Sequence, residues 1–171
     1  MSVAEDLKSV SSEQYGNETQ YRDHLLEMYK TYLEMADRIS QRRQSANSFY
    51  LSLNTAIIGL IGYVQLGRPT EHSFYWLVAI AGAIISYLWY RQIRSYKDMN
   101  FGKFKVVHEL ETYLPVCPYD AEWTALGEGK NPDLYLPFTV VELRVPFVFM
   151  AIHLSVIVVA LAPIVIEVLF S

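Results

Sequence analysis

Apolar residues gather in three blocks of this chain, and the polar stretches around them carry helical spacing. The blocks run from about Ser48 to Leu66, from about Tyr75 to Tyr90 and from about Pro146 to Phe170. Each is near the length an α-helix needs to cross the hydrocarbon core, roughly 17–25 residues. With so few segments, helices are the only spanning form that satisfies the backbone within each segment. The pattern therefore predicts an integral membrane protein with a sizeable part in water.

Outside the blocks, Tyr21, Leu25, Met28, Tyr32, Ala36 and Ile39 recur at spacings of three and four, an amphipathic stripe. No Gly or Pro separates this stripe from the first block, so one helix from about Thr19 to Leu66 is expected, roughly 70 Å long. Beyond the second block the pattern resumes through Ile93, Tyr96, Phe104, Val107, Leu110 and Leu114, weakened at Gly102 and ended by Pro115. Gly67-Arg-Pro-Thr turns the chain between the two, giving an antiparallel hairpin whose helices continue below the membrane as a stalk. Asp120 is the expected cap of a short helix through Leu126, closed by Gly127. Thr139-Val-Val-Glu142 has capping-box spacing and should start the helix leading into the third block, with a kink at Pro146.

The fold class read from this pattern is an all-α membrane protein: a transmembrane hairpin, a cytoplasmic two-helix stalk (19–47 and 91–143) and a third, C-terminal transmembrane helix. Residues 1–18 are polar, lack the layout of a secretory signal and read as a flexible lead-in. The third block carries His153, Pro163 and Glu167, which leaves a re-entrant path as its alternative.

Charge sets the expected orientation. Arg38, Arg42 and Arg43 precede the first block; Arg91, Arg94, Lys97, Lys103 and Lys105 follow the second; Arg144 precedes the third. The 67–74 loop holds only Arg68, beside Glu71 and His72. By the positive-inside rule the stalk and N-terminus are cytoplasmic and the loop is outside. The net charge of -4 rules out a globally basic surface, so any anion site must be local. Mean hydropathy is only +0.15 because the apolar residues are so concentrated.

Little catalytic chemistry is visible. His24, His72, His108 and His153 show no paired metal-ligand spacing, and no Walker A, GxSxG or GxGxxG sequence occurs. Cys117, the single cysteine, reads as a small apolar filler between Pro115 and Pro118. The carboxylates Glu109, Glu111, Asp120, Glu122 and Glu142 lack an accompanying nucleophile or phosphate cradle. No enzyme, metal or cofactor is expected. The membrane blocks say more. Ser48, Ser52, Asn54 and Thr55 are polar at membrane depth. Interhelical hydrogen bonding is the commoner use of such residues, and lining a pore is the sharper one, with Ser52, Asn54 and Thr55 its candidates. Gly59, Gly62, Ala79, Gly82 and Ala83 permit close helix approach. Three spans cannot enclose a channel, so a pore needs a ring of copies, and a tetramer is the expected ring. Arg38, Arg42, Arg43, Arg91, Arg94 and Lys97 are candidates for binding an anionic ligand near the membrane face; topology and lipid phosphates are the plainer reading of the same residues. Tyr113, Tyr119, Trp123 and Tyr135 could stack on bases or fill a core.

The run from Tyr32 through Arg38, Arg42, Arg43 and Asn47 to Asn54 resembles the opening of the SLATT-type bacterial membrane proteins. Tyr96-Lys-Asp-Met-Asn100, Glu109-Leu-Glu-Thr-Tyr-Leu-Pro115, Glu122-Trp123 and Thr139-Val-Val-Glu-Leu-Arg-Val-Pro146 fit the same family, so the likeness covers most of the chain after about residue 20. The resemblance implies a membrane effector of anti-phage defence, encoded beside nucleotide-signalling enzymes and acting as a pore. In the Hailong branch of that family the effector is held shut by single-stranded DNA oligomers from a partner nucleotidyltransferase. The third span departs from a plain two-span pattern. The alternative function is a non-conducting anchor or adaptor that recruits a cytosolic partner.

Overall fold

The computed structural model describes residues 10–67 and 75–170 together with Val3 and Leu7. Arg68, Glu71 and His72 of the expected outer loop, and the side chain of Glu167, lie outside the described residues. Every regular element among the described residues is helical. Helix α1 is Glu18–Gly67, α2 is Tyr75–Glu111, α3 is Pro118–Ala125, α4 is Phe138–Glu142 and α5 is Val145–Phe170; a single 3-10 turn covers Gly127–Gly129. The uninterrupted α1 follows from the lack of any Pro between its ends. Before it, Asn17 caps the start, its Oδ1 accepting from the Thr19 and Gln20 amides at 3.0 and 3.2 Å. Helix α2 passes through Gly102 and closes in a turn at residues 112–113, just short of Pro115.

Three helices are long and apolar enough to cross a membrane: α1, α2, and the α4–α5 stretch from Phe138 to Phe170. The third block is one helix through Pro163, in place of the re-entrant alternative. The kink expected at Pro146 is a break one step earlier. Leu143 and Arg144 form a turn that separates α4 from α5, as the ring of Pro146 cannot sit under an unbroken preceding turn.

The chain groups into two compact units: Met1–Arg42 with Tyr96–Pro137, and Arg43–Ser95 with Phe138–Ser171. In the first unit, Tyr29, Val107 and Leu110 are the buried centre, packed by Leu25, Tyr32, Leu33, Phe104, Leu114 and Tyr119. The buried seam of α1 is Leu25, Tyr29, Tyr32, Ala36 and Ile39. Met28, placed on that stripe from the sequence, is instead exposed, and Tyr29 takes the position because its hydroxyl finds a partner inside. That partner is Glu111, whose Oε1 accepts from Tyr29 at 2.8 Å. The same carboxylate accepts from the Tyr119 and Asp120 amides, both at 3.0 Å. Glu111, at the end of α2, thus caps the start of α3, and the local cap position, Cys117, makes no side-chain cap bond. Asp120 is not the expected cap; it lies in the first turn of the helix. At the other end, Gly127 closes α3 as expected, with φ +66 and the Leu126 amide donating to Glu122 O at 3.0 Å.

In the second unit, α1 and α2 run antiparallel: position 54 meets 86, and position 47 meets 89. Helix α5 runs antiparallel to α2, with ring pairs Trp89–Phe149 at 5.9 Å and Tyr90–Phe147 at 4.8 Å. The three spans therefore alternate in direction. The seam of α1 continues here as Arg43, Asn47, Tyr50, Asn54, Ile57 and Ile61, all wholly or partly buried.

Candidate functional site

Polar side chains at mid-span gather at one point of the second unit. Asn54 of α1, Ser86 of α2 and His153 of α5 are each fully buried. Asn54 Nδ2 donates to the carbonyl of Tyr50 at 2.9 Å, which fixes the amide so that Oδ1 points inward. Ser86 Oγ is 2.8 Å from that oxygen and 2.9 Å from Gly82 O, so its one proton has two acceptors. His153 Nε2 is 3.0 Å from the same Asn54 oxygen. Gly82 makes this approach possible: a Cβ there would stand 2.3 Å from the imidazole. Each of three spans thus contributes one polar group to a single knot. Apolar surroundings raise the cost of leaving any of these groups unpaired.

A second network lies near the start of the unit's α1 segment. Arg43 Nη1 donates to Thr139 Oγ1 at 3.0 Å, and Arg43 Nε lies 3.3 Å from Glu142 Oε2. Asn47 Nδ2 donates to Glu142 Oε1 at 2.8 Å, and Trp89 Nε1 donates to Asn47 Oδ1 at 2.8 Å. Thr139 lies inside α4 and not at its N-cap, so the expected capping box is replaced by tertiary bonds from the same two side chains. This network ties α4 to α1 and sets where the third span begins.

The residues singled out from sequence separate accordingly. Of the pore candidates, Asn54 is turned into the protomer, whereas Ser52 and Thr55 are exposed. Thr55 Oγ1 donates back to Leu51 O at 2.8 Å. Of the basic candidates, Arg43 is committed to Glu142 and Thr139. Arg38 pairs with Glu34 on its own helix at 2.6 Å. Arg91 and Arg94 are exposed and reach Tyr87 and Tyr90 hydroxyls at 3.4 and 3.2 Å. Arg42 and Lys97 are exposed. Tyr119 belongs to the first unit's core, and Trp123 and Tyr135 are surface groups. Sequence reasoning missed Ser86 as a partner; it named Gly82 for close helix approach, though not the imidazole that uses it. The signal was the pair itself, a glycine and a serine one turn apart in an apolar block. No group of His, Cys, Asp and Glu suited to a metal occurs among the described residues.

Exposed stripes of α1 and α5 differ in chemistry. Helix α5 presents Phe147, Val148, Ile152, Leu154, Val158 and Val159, as a lipid-facing helix should. One exposed stripe of α1 is Ser48, Ser52, Thr55, Gly59 and Gly62; Phe49, Leu51, Leu60 and Tyr63 are exposed beside it. Nothing lies within 4 Å of a Cβ built at Gly59 or Gly62. This seam offers hydroxyls and bare backbone where α5 offers hydrocarbon.

No curated protein and no solved structure is significantly similar to the chain. A family model, that of the octameric membrane protein family (8xMP), matches residues 26–162. The match takes in α2, α3 and α4 whole and most of α1 and α5, including both polar networks. Three apolar spans locked by buried polar bonds, together with a match of this extent, place the chain: it is a membrane protein and belongs to the octameric membrane protein family.

Proposed function

We propose that the protein assembles as a ring of eight identical copies around a membrane pore lined by the outward seam of α1. The carrying observation is the contrast between that seam, Ser48–Ser52–Thr55–Gly59–Gly62, and the aliphatic face of α5. Hydroxylated small residues are suited to water or to a close neighbour, and branched aliphatics to lipid. A ring places one face of every copy toward the axis and the other toward the bilayer. Eight copies, following the name of the family, replace the four expected from sequence. Within this reading Ser52 and Thr55 keep the pore-lining role, and Asn54 holds the wall of each subunit together.

The pore serves as a non-enzymatic effector of anti-phage defence, oriented with its N-terminus in the cytoplasm of a bacterial inner membrane. Its control by a nucleotide or oligonucleotide rests on the SLATT-type resemblance. The signal's phosphates would meet the exposed guanidinium group of Arg91 foremost, because Arg43 is already neutralised by Glu142. Binding should weaken steeply with salt as counterions are released. Native mass spectrometry of the detergent-solubilised protein, paired with ion flux from protein-loaded liposomes, tests the reading. An eight-copy mass with flux is expected. A monomer overturns the ring, and an eight-copy assembly without flux in the ligand-free and DNA-oligomer-bound states favours the anchor.

A further inference from the structure

The knot at mid-span has an uneven proton inventory. Asn54 Oδ1 is an acceptor, so His153 must present a proton on Nε2, 3.0 Å away. That choice of tautomer leaves Nδ1 as a bare lone pair. Nδ1 is buried and has no hydrogen-bond partner. Gly82 packs over the ring, a built Cβ there lying 2.5 Å from Nε2 and 2.6 Å from Nδ1. A second proton on the ring would therefore create an N–H with nothing to receive it and a charge without a counter-charge. The groups packed against the ring confirm how little could answer it. Helix α1 supplies the Asn54 amide; α2 supplies Gly82 and the Ser86 hydroxyl; no Asp, Glu, Lys or Arg among the described residues is hydrogen-bonded or ion-paired to His153.

We propose that His153 is a proton-operated latch between the third span and the first two: neutral, it locks α5 to Asn54; protonated, it releases that contact. Histidine is the side chain suited to such a role, as its charge changes within the range of about pH 5 to about pH 8. The relevant acid is the proton itself, reaching the ring from the aqueous phase. Relief comes by turning the ring, and α5 with it, away from the α1–α2 pair, because Gly82 leaves no room for rotation in place. The latch belongs to a single subunit and stands whether or not the assembly conducts.

A reporter is built in. Trp89 is buried, stacks on Tyr50 with centroids 6.0 Å apart, and touches Phe149 of α5 at 5.9 Å. In full-length protein carrying Trp76→Phe and Trp123→Phe, Trp89 is the only indole left. Its emission in liposomes would be followed from about pH 8 to about pH 5. A reversible red shift with a single transition is expected. His153→Gln keeps an amide donor for Asn54 without titrating there, and its emission should stay flat. Asn54→Asp supplies a carboxylate for the charged ring and should abolish the shift as well; it also serves if His153→Gln fails to insert. A flat wild-type titration overturns the latch, and so does an unchanged transition in either variant.

Discussion

Gly82 shows how much one hydrogen atom decides here. Its missing Cβ is the space the His153 imidazole occupies, and the ring is held on the far side by Asn54. Gly82→Ala should therefore displace a tethered aromatic ring, at a cost of about 1–3 kcal/mol. Gly102, with nothing within 4 Å of its built Cβ, is the natural comparison. Gly102→Ala should be neutral or stabilising by up to about 1 kcal/mol, the gain from helix propensity alone. Thermal unfolding of both detergent-solubilised variants checks the contrast; an equal loss in both would mean the His153 contact is not tight. The same scale explains which polar residues the sequence could sort. Ser52, Asn54 and Thr55 share one short run, and nothing in their identities tells inward from outward. Their phase on α1 does, and it is set by partners on distant segments, Ser86 and His153. Arg42 and Arg43 are neighbours with different fates for the same reason. Arg43 sits on the buried seam and meets Glu142, so any double substitution of the two would confuse ligand loss with damage to the α4 anchor.

Among the elements, the long helices were legible in full, whereas of the short ones only the place and the Gly127 end of α3 and the rough start of α4 were. The boundaries of α1 and α2 follow from hydrophobic spacing and the placement of Gly and Pro, which are local signals. Helices α3 and α4 are positioned by residues far away in sequence. Asp120 and Thr139 satisfy local capping rules, yet Glu111 performs the cap for α3, and Thr139 is engaged by Arg43. A carboxylate reaching a helix start from another element leaves no fixed spacing to read. Its energetic weight is testable. Glu111 is buried with three hydrogen bonds to Tyr29, Tyr119 and Asp120. Glu111→Gln keeps the shape but trades an acceptor oxygen for an NH2 that faces donors. A loss of about 1–3 kcal/mol is expected, appearing as raised hydrogen exchange across residues 112–126. Unchanged protection there would show that α3 is held by Phe104 and Tyr119 packing alone.

At the scale of the whole molecule, one protomer leaves most of its apolar span surface uncovered; only 6% of the third span's apolar window is buried within it. That surface needs lipid on some faces and copies of itself on others. Membership of the octameric family and the two-faced chemistry of α1 and α5 lead to the same arrangement. The tetramer expected from sequence does not agree with the family's name, since subunit number depends on the angle between neighbouring interfaces and no single-chain pattern encodes it. The most direct measurement is water access to the α1 seam. Single-cysteine proteins, with Cys117→Ser, would carry Ser52→Cys or Thr55→Cys on that seam, and Leu154→Cys on the aliphatic face. Leu154 adjoins His153, which meets Asn54, so these positions share a depth in the unit. Treatment of the assembled protein in membranes with a charged, water-soluble thiosulfonate should modify the cysteines at 52 and 55 and spare the one at 154. Equal protection of all three positions, in both the ligand-free and DNA-oligomer-treated states, would contradict a water-filled pore lined by α1.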